Sequence, residues 1–347
     1  LKIKGISPKK HQEITQNSRR IFGIRRLMMF LAQFSVPPAI AIKVWKKWGQ
    51  FSIDIVNENP YSLCDFGIEL DFNKAEIIAE HLNIPSDSKN RIRAGMIYIL
   101  IENTLSGHTC LPTDKLQEKS CGIMEITEQA FYETLEQEYK EENLVEYIKG
   151  NRSFTYLKDY FVADTYISGR MGVMKAFFKD NTNDYDSVID LEEERKGIKY
   201  EALQRKAISL ALSQGFIILT GGPGTGKTTT LNAIISLYEQ QGLRVMIAAP
   251  TGRAAKRISD LTGYDAKTIH RLLEVGFENN GKLKFIHDEN NPINCDVLIV
   301  DEMSMVDTLL FESLLRAMKL NCRLIMVGDS DQLPSVGAGN LLKDMID

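Results

Sequence analysis

The eight residues GGPGTGKT, Gly221 to Thr228, hold three kinds of group at a spacing that can grip a chain of phosphates. Glycines let consecutive backbone N–H groups curl toward one anion, the lysine reaches its outer oxygens, and the hydroxyl after it can bind a divalent cation. Gly222, Pro223, Gly224, Thr225, Gly226, Lys227, Thr228 and Thr229 are therefore candidate nucleotide-binding residues, with Lys227 facing the β and γ phosphates and Thr228 a ligand of Mg2+. An apolar run, FIILT from Phe216, precedes the segment, and a helical pattern, TTTLNAIISLY, follows it. Strand, loop and helix in that order aim the positive end of the helix at the phosphates.

Downstream, VLIVDEMSM closes another apolar run with two adjacent carboxylates, Asp301 and Glu302. Ligands of a parallel sheet lie beyond the carboxyl ends of its strands, so both acids would face whatever the glycine loop holds. Asp301 is the candidate second ligand of Mg2+, and Glu302 the candidate base that orients and deprotonates a water in line with the terminal phosphate. Paired acids after a strand also serve as helix N-caps, so the catalytic reading depends on the phosphate loop standing in the same chain.

These groups need a scaffold, and the hydrophobic pattern supplies one. Four apolar runs, FIILT, VMIAAP (Val245), VLIVD (Val297) and LIMVGD (Leu324), are each followed by a loop and a helical pattern, as in a parallel sheet flanked by helices over 198–347. A surface hairpin is expected as an insertion over 275–295, where Asn280 and Gly281 give the turn signal. Before the sheet, 181–197 reads as an acidic linker and 88–180 as three helices followed by a β-hairpin, LVEYI and FTYLKDY around KGNRS, similar to a winged-helix module. His108 and Cys110 lie two apart without further ligands nearby and read as loop residues. Residues 1–87 read as short helices. Segments from Gly5, Phe34 and Phe66 each place an apolar residue and a tight turn before a periodic helix, a pattern that resembles helix-hairpin-helix repeats.

Composition narrows the class. The 347 residues are 44% hydrophobic and 25% charged, ordinary for globular domains and too long for one core. The net charge of −4 is unevenly spread: eleven basic residues stand against one acid, Glu13, between Leu1 and Ile53, which makes that end a candidate phosphate-facing surface. Five scattered cysteines suit reduced thiols, and no long apolar run or leader pattern is seen, so a cytoplasmic protein without a membrane partner is expected. Leu1 is not an initiator methionine, and the chain is expected to begin inside a longer product.

In their order the motifs resemble superfamily 1 helicases, in particular the RecD-like family. Gln204, in YEALQRKAISLAL, matches the family glutamine that reads the adenine edge. APTGRAAKRI, Ala249 to Ile258, matches the segment whose backbone and Arg253 meet strand phosphates, and AKTIHRLL, Ala266 to Leu273, matches the next one. Pro250, Thr251, Gly252, Arg253, Thr268 and His270 are accordingly the implied DNA contacts. GDSDQLPSVGAGN, Gly328 to Asn340, matches the segment in which Gln332 senses the γ phosphate. NPYSL, IPSDSKNRIRAG and GHTCLP, beginning at Asn59, Ile84 and Gly107, resemble the longer family members that act without RecB and RecC subunits.

The resemblance implies a multidomain fold: an all-α helical-hairpin region, a winged-helix-like module, then a RecA-like α/β P-loop NTPase domain. It implies ATP and Mg2+, 5′-to-3′ movement on single-stranded DNA in repair or recombination, forked or tailed duplex as substrate, and a monomer. The chain stops at Asp347, soon after the γ-phosphate segment, so a second motor domain carrying a catalytic arginine is expected to be missing and this piece to hydrolyse ATP slowly. Two other functions stay open at this point: a nucleic-acid binding module switched by ATP, and an RNA helicase, whose contacts to the 2′-hydroxyl no motif reports.

Overall fold

The computed structural model describes residues 8–65, 67–178, 184–222, 224–277, 283–329, 332, 335 and 337–346. The chain folds as two compact units, Leu1–Glu102 with Leu111–Leu157, and Asn103–Cys110 with Lys158–Asp347.

The first unit contains α1 (Pro8–Ala32), α2 (Pro38–Trp48), α3 (Ser52–Glu58), α4 (Phe72–His81) and most of α5 (Lys89–Leu105). Next come β1 (Cys110–Pro112), α6 (Thr113–Met124), α7 (Glu128–Lys140), β2 (Leu144–Lys149) and β3 (Arg152–Leu157). Local chemistry sets several of these boundaries. Pro38 opens α2, where its missing N–H is harmless, and the Asp71 carboxylate caps α4 by accepting the Asn73 N–H at 3.0 Å. At Gly23 the Trp45 ring occupies the space a Cβ would need, so α1 and α2 approach closely. One core joins the helical and winged parts, from Leu27, Leu31 and Val44 through Phe72 and Met96 to Leu116 and Phe131.

Arg91 on α5 ties that core's rim together. Its Nη2 grips Glu76 of α4 at 2.8 Å, and its Nη1 donates to the carbonyls of Ser86 at 2.8 Å and Met124 at 2.9 Å.

The expected succession of short helices begins differently. Gly5 lies outside the described residues, and the periodic segment after it does not stop at a hairpin but continues as the 25-residue helix α1. No glycine or proline after Pro8 forces an earlier break, because Gly23 is tolerated inside the helix. The Phe34 segment does form a turn, with Ser35 in the left-handed region at φ 56°; Phe66 is outside the described residues, and the turn after it reaches α4 through Gly67 at φ 88°. In the winged part the helices and the β2–β3 hairpin stand as expected, with Gly150 at φ 61° in the turn. A third strand, β1, joins the sheet in the order β1-β3-β2. The second strand ends at Leu157, so KDY opens a helix instead.

In the second unit, that helix is α8 (Lys158–Phe177), followed by α9 (Asp186–Lys196), α10 (Ala202–Ser213), β4 (Phe216–Thr220), α11 (Lys227–Gln240) and β5 (Val245–Ala249). Then come α12 (Gly252–Thr262), β6 (Ala266–Thr268), α13 (Ile269–Leu273), the short strands β7 (Val275–Phe277) and β8 (Leu283–Phe285), and β9 (Val297–Val300). The unit ends with α14 (Thr308–Ala317), β10 (Arg323–Gly328) and α15 (Leu341–Ile346). Five strands form a parallel sheet in the order β4-β10-β9-β5-β6, with Ile325 in register with both Ile217 and Ile299. Alternate residues serve opposite faces. Leu298, Val300, Leu324 and Met326 pack with α8, α13 and α14, whereas Val297, Ile299, Ile325 and Val327 pack with α10 and α11. β7 and β8 pair antiparallel as the expected insertion, whose turn at Asn280 and Gly281 is outside the described residues.

Two stretches fall elsewhere than the sequence pattern assigns them. Residues 158–177, expected with the winged module, group with the sheet unit because Ile167 and Met174 enter its core and Arg170 donates to the carbonyls of Met318 and Lys319, both at 2.8 Å. Much of the expected linker 181–197 is the helix α9, with Ile189, Glu192 and Glu193 buried. Its acids are tolerated because they are paired: Glu193 accepts from Lys199 at 2.7 Å, from the Tyr200 N–H at 2.9 Å and from Arg205 at 3.0 Å. No described helix is long and apolar enough to cross a membrane.

Candidate nucleotide cleft and strand track

The loop between β4 and α11 takes the shape its glycines permit. Gly224 and Gly226 stand at φ 77° and 80°, and Gly226 is the N-cap from which α11 starts. The Lys227 ammonium folds back onto the carbonyls of Gly221 and Gly222, the latter at 2.8 Å, while the Thr225 hydroxyl donates to the same Gly222 oxygen at 2.9 Å. Thr228 is half-buried beside it, Thr229 is exposed, and Pro223 lies outside the described residues.

Gln204 arrives from the first turn of α10. Its amide oxygen accepts the Glu201 N–H at 2.9 Å in a capping box, which leaves Nε2 to lie against Gly226, in the place where a Cβ would stand. The paired acids of α9 hold this helix through Arg205, the residue after Gln204.

Across the cleft, β9 is buried along its whole length and the Asp301 N–H donates to the Ala248 carbonyl at 2.9 Å, which carries the strand pairing to the edge of the sheet. Burial pushes the Asp301 carboxyl upward, and the neighbouring Glu302 charge adds to it; the Glu302 N–H, Arg257 and Lys227 oppose the shift. Glu302 follows in the left-handed region at φ 53° and ψ 45°, a conformation that costs a non-glycine residue about 1 kcal/mol. Its carboxylate is only 14% exposed and accepts from Arg257 of α12 at 2.9 Å.

Lys227, Thr228, Asp301, Glu302 and Gln332 thus line one cleft together with Arg257. Its free volume is about 80 Å3, small against the roughly 300–1,000 Å3 usual for ligand pockets, with Lys227 folded into the loop. The donor set suits Mg2+: a hydroxyl and a carboxylate are hard oxygen ligands, and this ion keeps several waters and substrate oxygens in its shell. Among the described residues no group of three or more His, Cys, Asp or Glu side chains could hold a metal alone. Gln332 is exposed, its N–H donating to the Asp329 carbonyl at 3.2 Å.

The implied strand contacts lie at the carboxyl ends of β5 and β6, which pair with Ala249 opposite Thr268. Thr251 and Thr268 cap the next helices, accepting the N–H groups of Ala254 and Arg271, each at 3.2 Å. Their hydroxyls are thereby engaged. The first-turn N–H groups of α12, which a helix cannot satisfy internally, and the exposed Arg253 are what can meet phosphates, with Pro250 half-buried behind them. His270 is exposed on α13, its ring 5.8 Å from that of Phe285. Sequence reasoning missed Arg257. Its only signal was a place four residues after Arg253 on a helix, hence on the same face.

Two family models match the chain: one described as an AAA domain over residues 204–338, and one described as the HHH domain of the ATP-dependent RecD2 DNA helicase over residues 20–110. The ATP-dependent RecD2 DNA helicase of Deinococcus radiodurans is 45% identical over 145 residues, 42% of this chain and 19% of its own length. The RecBCD enzyme subunit RecD of Mycolicibacterium smegmatis is 41% identical over 42% of this chain and 30% of its own length, and that of Haemophilus influenzae 30% identical over 70% and 38%. The chain therefore spans between 19% and 38% of the length of these relatives. Among solved structures, the Pif1 helicase from Candida albicans is 29% identical with a TM-score of 0.32, over 40% of this chain and 34% of that one.

Proposed function

This chain belongs to the RecD-like family of superfamily 1 helicases, and from that premise we propose that it carries the ATP-binding motor domain of a DNA helicase that moves 5′-to-3′ along single-stranded DNA. The observation that carries the reading is the convergence of Lys227, Thr228, Asp301, Glu302 and Gln332 on one cleft, beside a helix whose N-terminal turn is open to a strand.

Entry of ATP draws Lys227 off the Gly221 and Gly222 carbonyls and onto the β and γ phosphates, exchanging two neutral acceptors for a charged one. Gln204 then meets the base from beside Gly226, and its tie to Glu201 fixes which face of the amide it offers. Thr228 and Asp301 would hold Mg2+, which supplies charge neutralisation on the β and γ oxygens. Glu302 takes a proton from the water whose oxygen attacks the γ phosphorus, and the bond to the ADP oxygen breaks as the new one forms. Gln332, on the rim, responds to loss of the γ phosphate. Arg253 and the α12 N-terminus hold one strand phosphate, so a change in the cleft reaches the strand through that helix.

The protein acts without RecB and RecC subunits and as a monomer in this reading, with forked or tailed duplex as its substrate. The test is displacement of a labelled strand by the intact protein from duplexes bearing a 5′ or a 3′ single-stranded tail. Displacement from the 5′-tailed substrate with ATP supports the proposal; equal displacement from both tails, or strand-stimulated hydrolysis with none from either, sinks the polarity or the motor itself. RNA in place of DNA as activator decides between the two nucleic acids.

A further inference from the structure

One contact in the cleft has no part in that scheme. The guanidinium of Arg257 donates to Oε1 of Glu302 at 2.9 Å, so an oxygen that would accept the proton of the attacking water is already accepting from an arginine. The two ends of this pair differ sharply: the Arg257 side chain is 65% exposed, whereas that of Glu302 is 14% exposed. Glu302 is the buried end of the pair, so the pair opens most readily from the arginine side. Arg257 belongs to α12, one turn beyond Arg253 and on the same face, so the exposed end of the pair sits next to the place where a strand phosphate would bind. A phosphate there attracts Arg257 away from Glu302, and the long side chain has the exposure to follow it.

We propose that Arg257 is a positioning residue that latches Glu302 in the strand-free protein and releases it when nucleic-acid phosphate occupies the start of α12. The latch makes hydrolysis conditional on a strand being in the track. It rests on the reading of Glu302 as the base, and it can fail while that reading stands.

The experiment measures kcat and KM for ATP in the intact protein, without nucleic acid and with saturating single-stranded DNA, for the wild type and for Arg257→Ala, Arg257→Lys and Glu302→Gln. A half-exposed pair of this kind limits the latch to about fivefold, the rate factor of about 1 kcal/mol. Arg257→Ala is expected to raise the strand-free kcat by up to about fivefold at unchanged KM, with the strand-saturated kcat preserved and the stimulation ratio reduced by the same factor. Arg257→Lys, which keeps the charge, restores most of the ratio. An increase in rate cannot come from a damaged fold. If Arg257→Ala leaves the stimulation ratio intact while Glu302→Gln is inactive, the latch is wrong and the base assignment stands. If Glu302→Gln keeps its ATPase, the base assignment fails and the latch falls with it.

Discussion

The side-chain nitrogen of Gln204 fills the space that a Cβ on Gly226 would need. The residue expected to read the base and the residue that begins the phosphate-binding helix are therefore in contact, although 22 positions separate them in the chain.

Removing the glutamine at this contact should weaken nucleotide recognition more than hydrolysis. Gln204→Ala is expected to raise KM for ATP by roughly fivefold and to narrow the preference for ATP over GTP, with kcat changed by less than about threefold, since one hydrogen bond to a base is worth on the order of 1 kcal/mol. Steady-state kinetics with both nucleotides check it. A fall in kcat at constant KM would move Gln204 from base recognition to the chemical step.

Asp301 sets function against stability. Its carboxyl is raised by burial, so the folded state holds its proton more tightly than the unfolded chain does. Stability from this group is therefore lost progressively as pH rises from the unfolded carboxylate range through the raised value. Asp301→Asn should melt at a higher temperature than the wild type when nucleotide-free at pH 7, and should lower ATPase by at least about 100-fold through loss of the Mg2+ ligand. A melting temperature that falls instead would mean that Lys227 and Arg257 outweigh burial.

The buried acid of α9 has the opposite sign. Lys199, the Tyr200 N–H and Arg205 hold the Glu193 carboxyl down at about 2, well below its ordinary range. Its stabilisation is present above the ordinary glutamate range and is lost progressively as pH falls from about 5 toward 2. Glu193→Gln should flatten the decline of melting temperature over that window and lower stability at pH 7. Because α9 steadies α10, the variant should also raise KM for ATP. Identical acid titrations of the two proteins would remove Glu193 from the account.

In the first unit, Arg91 is the largest single test of packing. Its guanidinium is engaged by Glu76, Ser86 and Met124, and its side chain is only 12% exposed. Arg91→Ala leaves Glu76 and two carbonyls short of a donor and is expected to destabilise that unit by about 2 kcal/mol, read as a shift in its denaturant midpoint. The ATPase of the strand-saturated protein should be nearly unchanged.

What the chain disclosed beforehand follows from the range of the forces involved. The P-loop, the Asp301–Glu302 pair and the apolar runs of four of the five parallel strands are local signals, each complete within about ten residues. The fifth, β6, is three residues long and lies inside AKTIHRLL, too short to show a period. β1 was missed for the same reason. Other misses are long-range. Arg170 looks like a solvated cation until its carbonyl partners at Met318 and Lys319 arrive from nearly 150 residues away, and α8 moves to the sheet unit with it. Glu192 and Glu193 look like surface charge until Arg195, Lys199 and Arg205 close around them. Arg257 was invisible in function because its meaning depends on where β9 ends beside α12.

Hydrolysis of ATP in this cleft, with Lys227 binding its phosphates, is tested by removing the lysine. Phosphate release from ATP is measured with the intact protein and its Lys227→Ala variant, with and without saturating single-stranded DNA, alongside the affinity of each for the strand. Loss of at least about 1,000-fold in hydrolysis with strand affinity held within about threefold is the expected result, because in the proposed scheme the lysine engages the triphosphate and not the strand. A variant that still hydrolyses ATP in response to the strand would contradict it.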